Sequence, residues 1–166
     1  MSKTVRAPEL YTERLVLKEI TESDATYIVK LRANPNVYRY FVSPHKITME
    51  EHLKWYRDKY IYDDSRFDWI ACSEKNGPIG LFGIKRESAD SDIVEVSYML
   101  SPEHYRKGYA REAVERLIKF CKDEWKCCRV IAEIHKDNSA SIRFIERLSF
   151  VLEEYDGDFV IYGKEI

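Results

Sequence analysis

Residues 101–120 read SPEHYRKGYAREAVERLIKF, and the two halves of this stretch obey different rules. In the second half Ala110, Ala113, Val114, Leu117, Ile118 and Cys121 recur at the spacing of one helical face, which predicts an amphipathic helix with a single buried side. In the first half Arg106, Lys107 and Gly108 stand between that helix and a strand-like run, DIVEVSYML, at 92–100. A helix N-terminus carries unpaired N–H groups and about half a positive charge, so it attracts anions. Gly108 removes a side chain at the start of the turn, and Ala110 keeps the next approach small. Arg106, Lys107 and Arg111 add charge at the same point. The turn therefore reads either as a cradle for a pyrophosphate or as a solvated basic turn. It has neither G-x-G-x-x-G nor the Lys-Ser/Thr ending of a P-loop.

Working outward, RLVLKEI (14–20) alternates as a first strand, and Thr21-Glu22-Ser23-Asp24 resembles a capping box opening a helix that stops at Asn34 before Pro35. Thr48-x-x-Glu51 opens a second helix. The connection between them, VYRYFVSPHKI (37–47), is rich in aromatics. FDWIACSE (67–74) and PIGLFGIKRE (78–87) flank Asn76-Gly77, a strong hairpin signal. RVIAEI (129–134) is a strand and DNSASIRFIERL (137–148) a helix. FVLEEY and DFVIYGKEI then close as a hairpin across Asp156-Gly157. The order β-α-α-β-β-β-α-β-α-β-β predicts an α+β (mixed α/β) domain spanning 1–166. Its sheet is twisted, largely antiparallel and six- to seven-stranded, with about four flanking helices.

The chain has 166 residues, 45 % hydrophobic and 34 % charged, the balance of an ordinary globular domain. Twenty-seven basic against 29 acidic residues leave a charge of −2, which argues against a nucleic-acid or anionic-membrane partner. Cys72, Cys121, Cys127 and Cys128 include no C-x-x-C, and the four histidines show no ligand spacing, so neither a metal nor a disulfide framework is expected. No apolar leader or membrane-length run is present, and a reducing, cytoplasmic setting fits best.

The form S-P-E-H-Y-R-K-G-Y-A-R-E-A, preceded by E-V-S-Y-M-L, resembles the acyl-CoA-binding motif [QR]-x-x-G-x-[GA] of the GNAT N-acetyltransferase superfamily. It is similar in particular to the branch holding ribosomal-protein alanine and spermidine N-acetyltransferases. Asn138 to Phe150 resembles the same family's N-x-x-[AS]-x-x-x-Y-E-K-x-G-F segment, and RLVLKEI and PIGLFGI fall where the family has its first and third strands. The resemblance implies acetyl-CoA as co-substrate. It implies that main-chain groups of Tyr98, Met99 and Leu100 pair with pantetheine, the Leu100 N–H polarising the acetyl carbonyl. N–H groups from Tyr105 through Ala110, Gly108 and Tyr109 among them, would hold the pyrophosphate, with Arg106, Lys107 or Arg111 nearby. Asn138 would fix the pantetheine arm, with Ser141 and Phe144 lining its channel. Three positions depart from the pattern: Tyr105 replaces the [QR] residue, Ser149 replaces a glycine, and Ile145 stands where a tyrosine often protonates the leaving thiolate.

Acetyl transfer needs a neutral amine. An amine of pKa ~10.4 calls for a base, whereas a thiol of pKa ~8.5 leaves readily and makes a proton donor optional. Glu95 is the first candidate base, acting through water, or else a surface glutamate on an alternating strand. Ser141 and Tyr98 are alternative proton donors or binding and packing groups; His104 and His135 are alternative bases. Cys121 and Cys72 read as core rather than as acetyl carriers. The acceptor is an amine on a small molecule or peptide, faced by the 21–62 segment with Tyr38, Tyr40, Phe41, Trp55, Tyr56 and Tyr60, and by Trp69. A polyamine would favour acids such as Glu50, Glu51, Asp58, Asp63 and Asp64. Glu50–Tyr56 also resembles a helix of nucleotide-linked amino-sugar N-acetyltransferases. The alternative to an enzyme is a non-catalytic acyl-CoA-binding sensor or partner subunit, and the sheet edges could pair a homodimer.

Overall fold

The computed structural model describes residues 2–166. Its strands are β1 (Leu10–Tyr11), β2 (Leu15–Glu19), β3 (Arg66–Ser73), β4 (Gly77–Arg86), β5 (Ile93–Leu100), β6 (Arg129–His135), β7 (Val151–Asp156) and β8 (Phe159–Glu165). They form one sheet in the order β1-β2-β3-β4-β5-β6-β8-β7. Every neighbouring pair is antiparallel except β5 and β6. The helices are α1 (Ala25–Arg32), α2 (Pro35–Tyr38), α3 (Met49–Asp58), α4 (Tyr109–Asp123) and α5 (Ser139–Arg147).

The expected mixed, mainly antiparallel architecture is present, but six to seven strands and about four helices undercount it. β1 is a two-residue edge, too short to display alternation. α2 hides in the connection: Pro35 ends α1, yet Asn34 then accepts from the Asn36 N–H at 2.9 Å and restarts the helix with Pro35 in its first turn. The Thr21 box opens a 3-10 turn ahead of α1, and the Thr48–Glu51 box caps α3 directly.

The β5–α4–β6 crossover explains the predicted apolar face. Ala113, Val114, Leu117 and Cys121 are buried against Trp69, Phe82, Ile84, Val94 and Val96, while Ala110 and Ile118 sit at the margin. Each fully buried Val or Leu there contributes about 1.5–3 kcal/mol, so this helix is fixed by packing more than by propensity. On the opposite face a smaller cluster of Ile20, Ile28, Tyr56, Tyr60 and Ile70 seats α1 and α3. Tyr56, Tyr60 and Trp69 are therefore core residues, and the rest of that second face is left open beside β5 and β6.

No described helix is long and apolar enough to cross a membrane.

Candidate active site

β5 and β6 are paired only at Ile93–Arg129, Val94–Val130 and Glu95–Ile131. Beyond that point each strand stays with its antiparallel partner, β5 with β4 out to Leu100–Gly80 and β6 with β8 out to His135–Phe159. The sheet opens between them. The Ser101 N–H donates to Ile79 O on the β4 side at 2.9 Å, and Asp92 O accepts from the Cys128 N–H on the β6 side at 3.0 Å. Strand alternation then turns odd-numbered main-chain groups of β5 toward β4 and even-numbered ones toward β6. The Val96 N–H still closes the last rung on Ile131; beyond it Tyr98 and Leu100 present main-chain N–H and C=O to the gap, whereas Met99 turns its own to β4. Unpaired strand groups of this kind suit an extended amide-bearing ligand.

The gap widens into a cleft of about 540 Å³. Glu95, Tyr98, Met99, Asn138 and Ser141 all line it, together with Ser97, Glu133, His135, Tyr40 and Phe41. Leu100, Phe144 and the turn 105–111 lie outside this lining. Glu95 and Glu133 share the open face, two rungs apart on adjoining strands. Burial first, and then the charge of Glu133, push the Glu95 carboxyl above the ordinary carboxylate range, against Lys85 and Arg66. Such a carboxylate accepts a proton more readily than a solvated one.

On the α5 side the Tyr98 phenol and the Ser141 hydroxyl are 2.7 Å apart. Phe144 meets the Tyr98 ring edge-on at 5.0 Å between centroids. Asn138 caps α5, its Oδ1 accepting from the Ser141 N–H at 3.3 Å. Ile145 is 0 % exposed and faces the core, so no proton donor comes from that position.

The turn before α4 leaves six consecutive donors free. No N–H from Arg106 through Arg111 has an acceptor within the described residues, and the first bond of the helix is Glu112 N–H to Gly108 O at 3.1 Å. Arg106 and Gly108 both have left-handed backbones, φ 63° and 79°. Tyr105 is exposed. Tyr109 is buried, its phenol accepting from Asn76 Nδ2 at 2.9 Å. Arg111 pairs with Glu115 along the helix, so its charge is partly spent there.

Several residues of this region carried no usable sequence signal. Arg14, distant in the chain, donates from Nη1 to Lys107 O at 2.9 Å and from Nε to Glu112 at 2.7 Å, bracing the turn. Arg32 reaches the cleft from the last turn of α1. Glu133 could have been found by the period-2 alternation of RVIAEIH, which sets it on the face opposite Val130, Ala132 and Ile134. The acids considered for a polyamine, Glu50, Glu51, Asp58, Asp63 and Asp64, do not line the cleft. His104 is buried outside it, and His135 lines it with Nδ1 accepting from the Asp137 N–H at 3.1 Å. Neither Cys72 nor Cys121 reaches it. Among the described residues no cluster of His, Cys, Asp and Glu could hold a metal ion.

Residues 14–151 match the family described as acetyltransferase (GNAT) domain. The uncharacterised N-acetyltransferase YoaA of Bacillus subtilis is 28 % identical over 155 residues, covering 89 % of this chain and 88 % of the relative. A spermidine N(1)-acetyltransferase of Vibrio cholerae is 22 % identical over 152 residues, covering 91 % and 87 %. The crystal structure of the spermidine N-acetyltransferase from Vibrio cholerae in complex with CoA and spermine superposes with a TM-score of 0.82 at 21 % identity, covering 93 % of this chain and 96 % of that one.

Proposed function

Because the chain belongs to the GNAT acetyltransferase family, we propose that it transfers the acetyl group of acetyl-CoA to a primary amine, by direct attack of the amine on the thioester. The observation that carries this reading is the gap between β5 and β6, which runs up to a helix N-terminus with six free N–H donors. Those donors fit a pyrophosphate: Gly108 keeps the approach clear, and Arg106 and Lys107 add charge without ion-pair partners among the described residues.

Acetyl-CoA supplies an acyl group on a thiolate that leaves readily. Main-chain groups of Tyr98 and Leu100 hold the pantetheine arm, Asn138 and Ser141 flank it, and the Leu100 N–H polarises the acetyl carbonyl. Glu95 takes the proton from the acceptor ammonium through water, with burial and then Glu133 keeping its affinity for that proton high. The Tyr98–Ser141 pair returns a proton to the sulfur, replacing the tyrosine that Ile145 displaces. Relatives named for spermidine support an amine as the acceptor class. Four free cysteines support a reducing, cytoplasmic setting.

A second reading, acyl-CoA binding without turnover, is favoured by Ile145 alone. One experiment separates the two: thermal stability with and without acetyl-CoA, alongside thiol release across a panel of amines. A ligand at 100 times its dissociation constant adds about 2.7 kcal/mol of stability. Stabilisation with amine-dependent thiol release is the outcome expected; stabilisation without release with any amine would leave the sensor reading.

A further inference from the structure

Arg32 has no ion-pair partner within 4 Å among the described residues, although it stands beside a cleft floored by two carboxylates. Its Nε is buried with no acceptor, and the Phe41 ring covers the guanidinium at 5.6 Å. Of the neighbouring arginines, Arg66 is engaged, donating to Asp68 at 2.9 Å. A guanidinium N–H buried without an acceptor is costly, and an anion bound in the cleft would satisfy it.

The position of Arg32 separates it from the α4 turn. Its charged neighbours are Arg66, Asp68 and Glu51, and the register sets Arg66, Lys85 and Glu95 in one row across β3, β4 and β5. From Glu95 to the end of β5 the strand runs five residues, about 17 Å, before the turn begins. Arg32 therefore belongs to the amine end of the cleft and not to the pyrophosphate end.

We propose that Arg32 binds a carboxylate on the acceptor, so that the acceptor is an amino-acid-like zwitterion whose amine faces Glu95 and Glu133. This rests on the acetyl-transfer reading above. A planar guanidinium takes a carboxylate through two parallel hydrogen bonds. A phosphate dianion would bring more negative charge than a carboxylate beside Glu95 and Glu133. A linear polyamine offers Arg32 only like charge, whatever Glu95 and Glu133 add for its amines. Burial, and then Arg66, hold the Arg32 pKa below its ordinary value, and a bound anion offsets that penalty.

The test measures kcat/KM by thiol release for α- and ω-amino acids of increasing length, each beside its decarboxylated amine, its phosphonate analogue and the matching diamine. Wild type is expected to favour the best amino acid over its decarboxylated amine by about tenfold or more, the scale of a charge-assisted bond. Arg32→Gln should bring that ratio near one, Arg32→Lys should keep part of it, and Arg32→Glu should move preference to diamines. Acetyl-CoA-dependent thermal stabilisation retained in each variant shows that the fold and donor site are intact. Preference for plain amines, diamines or phosphonates in wild type, or an unchanged ratio in Arg32→Gln, overturns the assignment of Arg32 while acetyl transfer stands. If no amine is turned over, calorimetry with N-acetyl amino acids in the presence of CoA decides. Binding lost in Arg32→Gln supports the anion site, and no binding in wild type overturns it. Failure of acetyl-CoA to stabilise the wild type would instead remove the functional reading itself.

Discussion

The phenolic oxygen of Tyr98 lies 2.7 Å from the hydroxyl oxygen of Ser141, joining the central strand β5 to the first turn of α5 across the cleft. Burial pushes the Tyr98 phenol up to about 12, against the bond from Ser141, so it keeps its proton at neutral pH, as the proposed donor role requires. General acids contribute typically 10²–10⁴-fold, but a thiol of pKa ~8.5 leaves without much help. Tyr98→Phe and Ser141→Ala should therefore each lower kcat by only about tenfold. The double variant should lose little more than either single one, because the two hydroxyls act as a unit. A hundredfold loss in the double variant, the product of independent effects, would mean that they do not.

Glu95 accepts a proton only when ionised, so kcat/KM should rise with pH through its pKa. The midpoint should lie above ~4.3, the ordinary glutamate value. Glu133→Gln removes the like charge that raises it and should move the acid limb to lower pH; Lys85→Gln should move it higher. Glu95→Gln should abolish the limb and cost about 10²-fold in kcat/KM. An acid limb unmoved in Glu133→Gln would assign the titration to another group.

At Gly108 a Cβ would stand 3.2 Å from Arg14 Nη2 on a backbone with φ 79°. Gly108→Ala should cost about 1–2 kcal/mol through the left-handed conformation and should weaken acetyl-CoA binding. Arg14→Gln removes the brace on Lys107 O and Glu112 without that strain. Calorimetry on the two should show weaker acetyl-CoA binding in both, and the larger fall in melting temperature in Gly108→Ala.

Ser149 ends α5 in a left-handed conformation, φ 68°, with its own N–H on Glu146 O and the Phe150 N–H on Ile145 O. This is a Schellman closure, in which glycine is the usual occupant. Ser149→Gly should stabilise the protein by about 0.5–1 kcal/mol, a rise of roughly 2–4 °C per kcal/mol at this chain length. Unchanged kinetics with a higher melting temperature is the expected result.

Local rules carried most of the fold. The 3.6-residue spacing of Ala113, Val114 and Leu117, the Asn76-Gly77 turn and the Thr48–Glu51 box each act within a few residues, so they were readable in the chain. β1 and α2 were not, because a two-residue strand and a four-residue helix express neighbours' packing rather than their own periodicity. At the site, one strand and one helix start supplied Glu95, Tyr98 and Gly108. Arg14, Arg32 and the partnership of Tyr98 with Ser141 arise from contacts between segments far apart in sequence. The departure of β5 from β6 is likewise a property of two strands and their separate partners, which neither strand encodes alone.

That departure reverses the usual pattern of solvent access in a sheet. In most sheets amides exchange slowest at the centre and fastest at the rims. Here the Tyr98 and Leu100 amides sit four strands in from one edge, yet no neighbouring strand accepts their protons among the described residues. In the free protein they should exchange with deuterium at rates typical of loops, while Ser97 and Met99, interleaved with them and turned to β4, should stay protected. Occupation of the gap would slow the first set and leave the second unchanged. Alternate residues of a single strand would then report, position by position, when the site is filled.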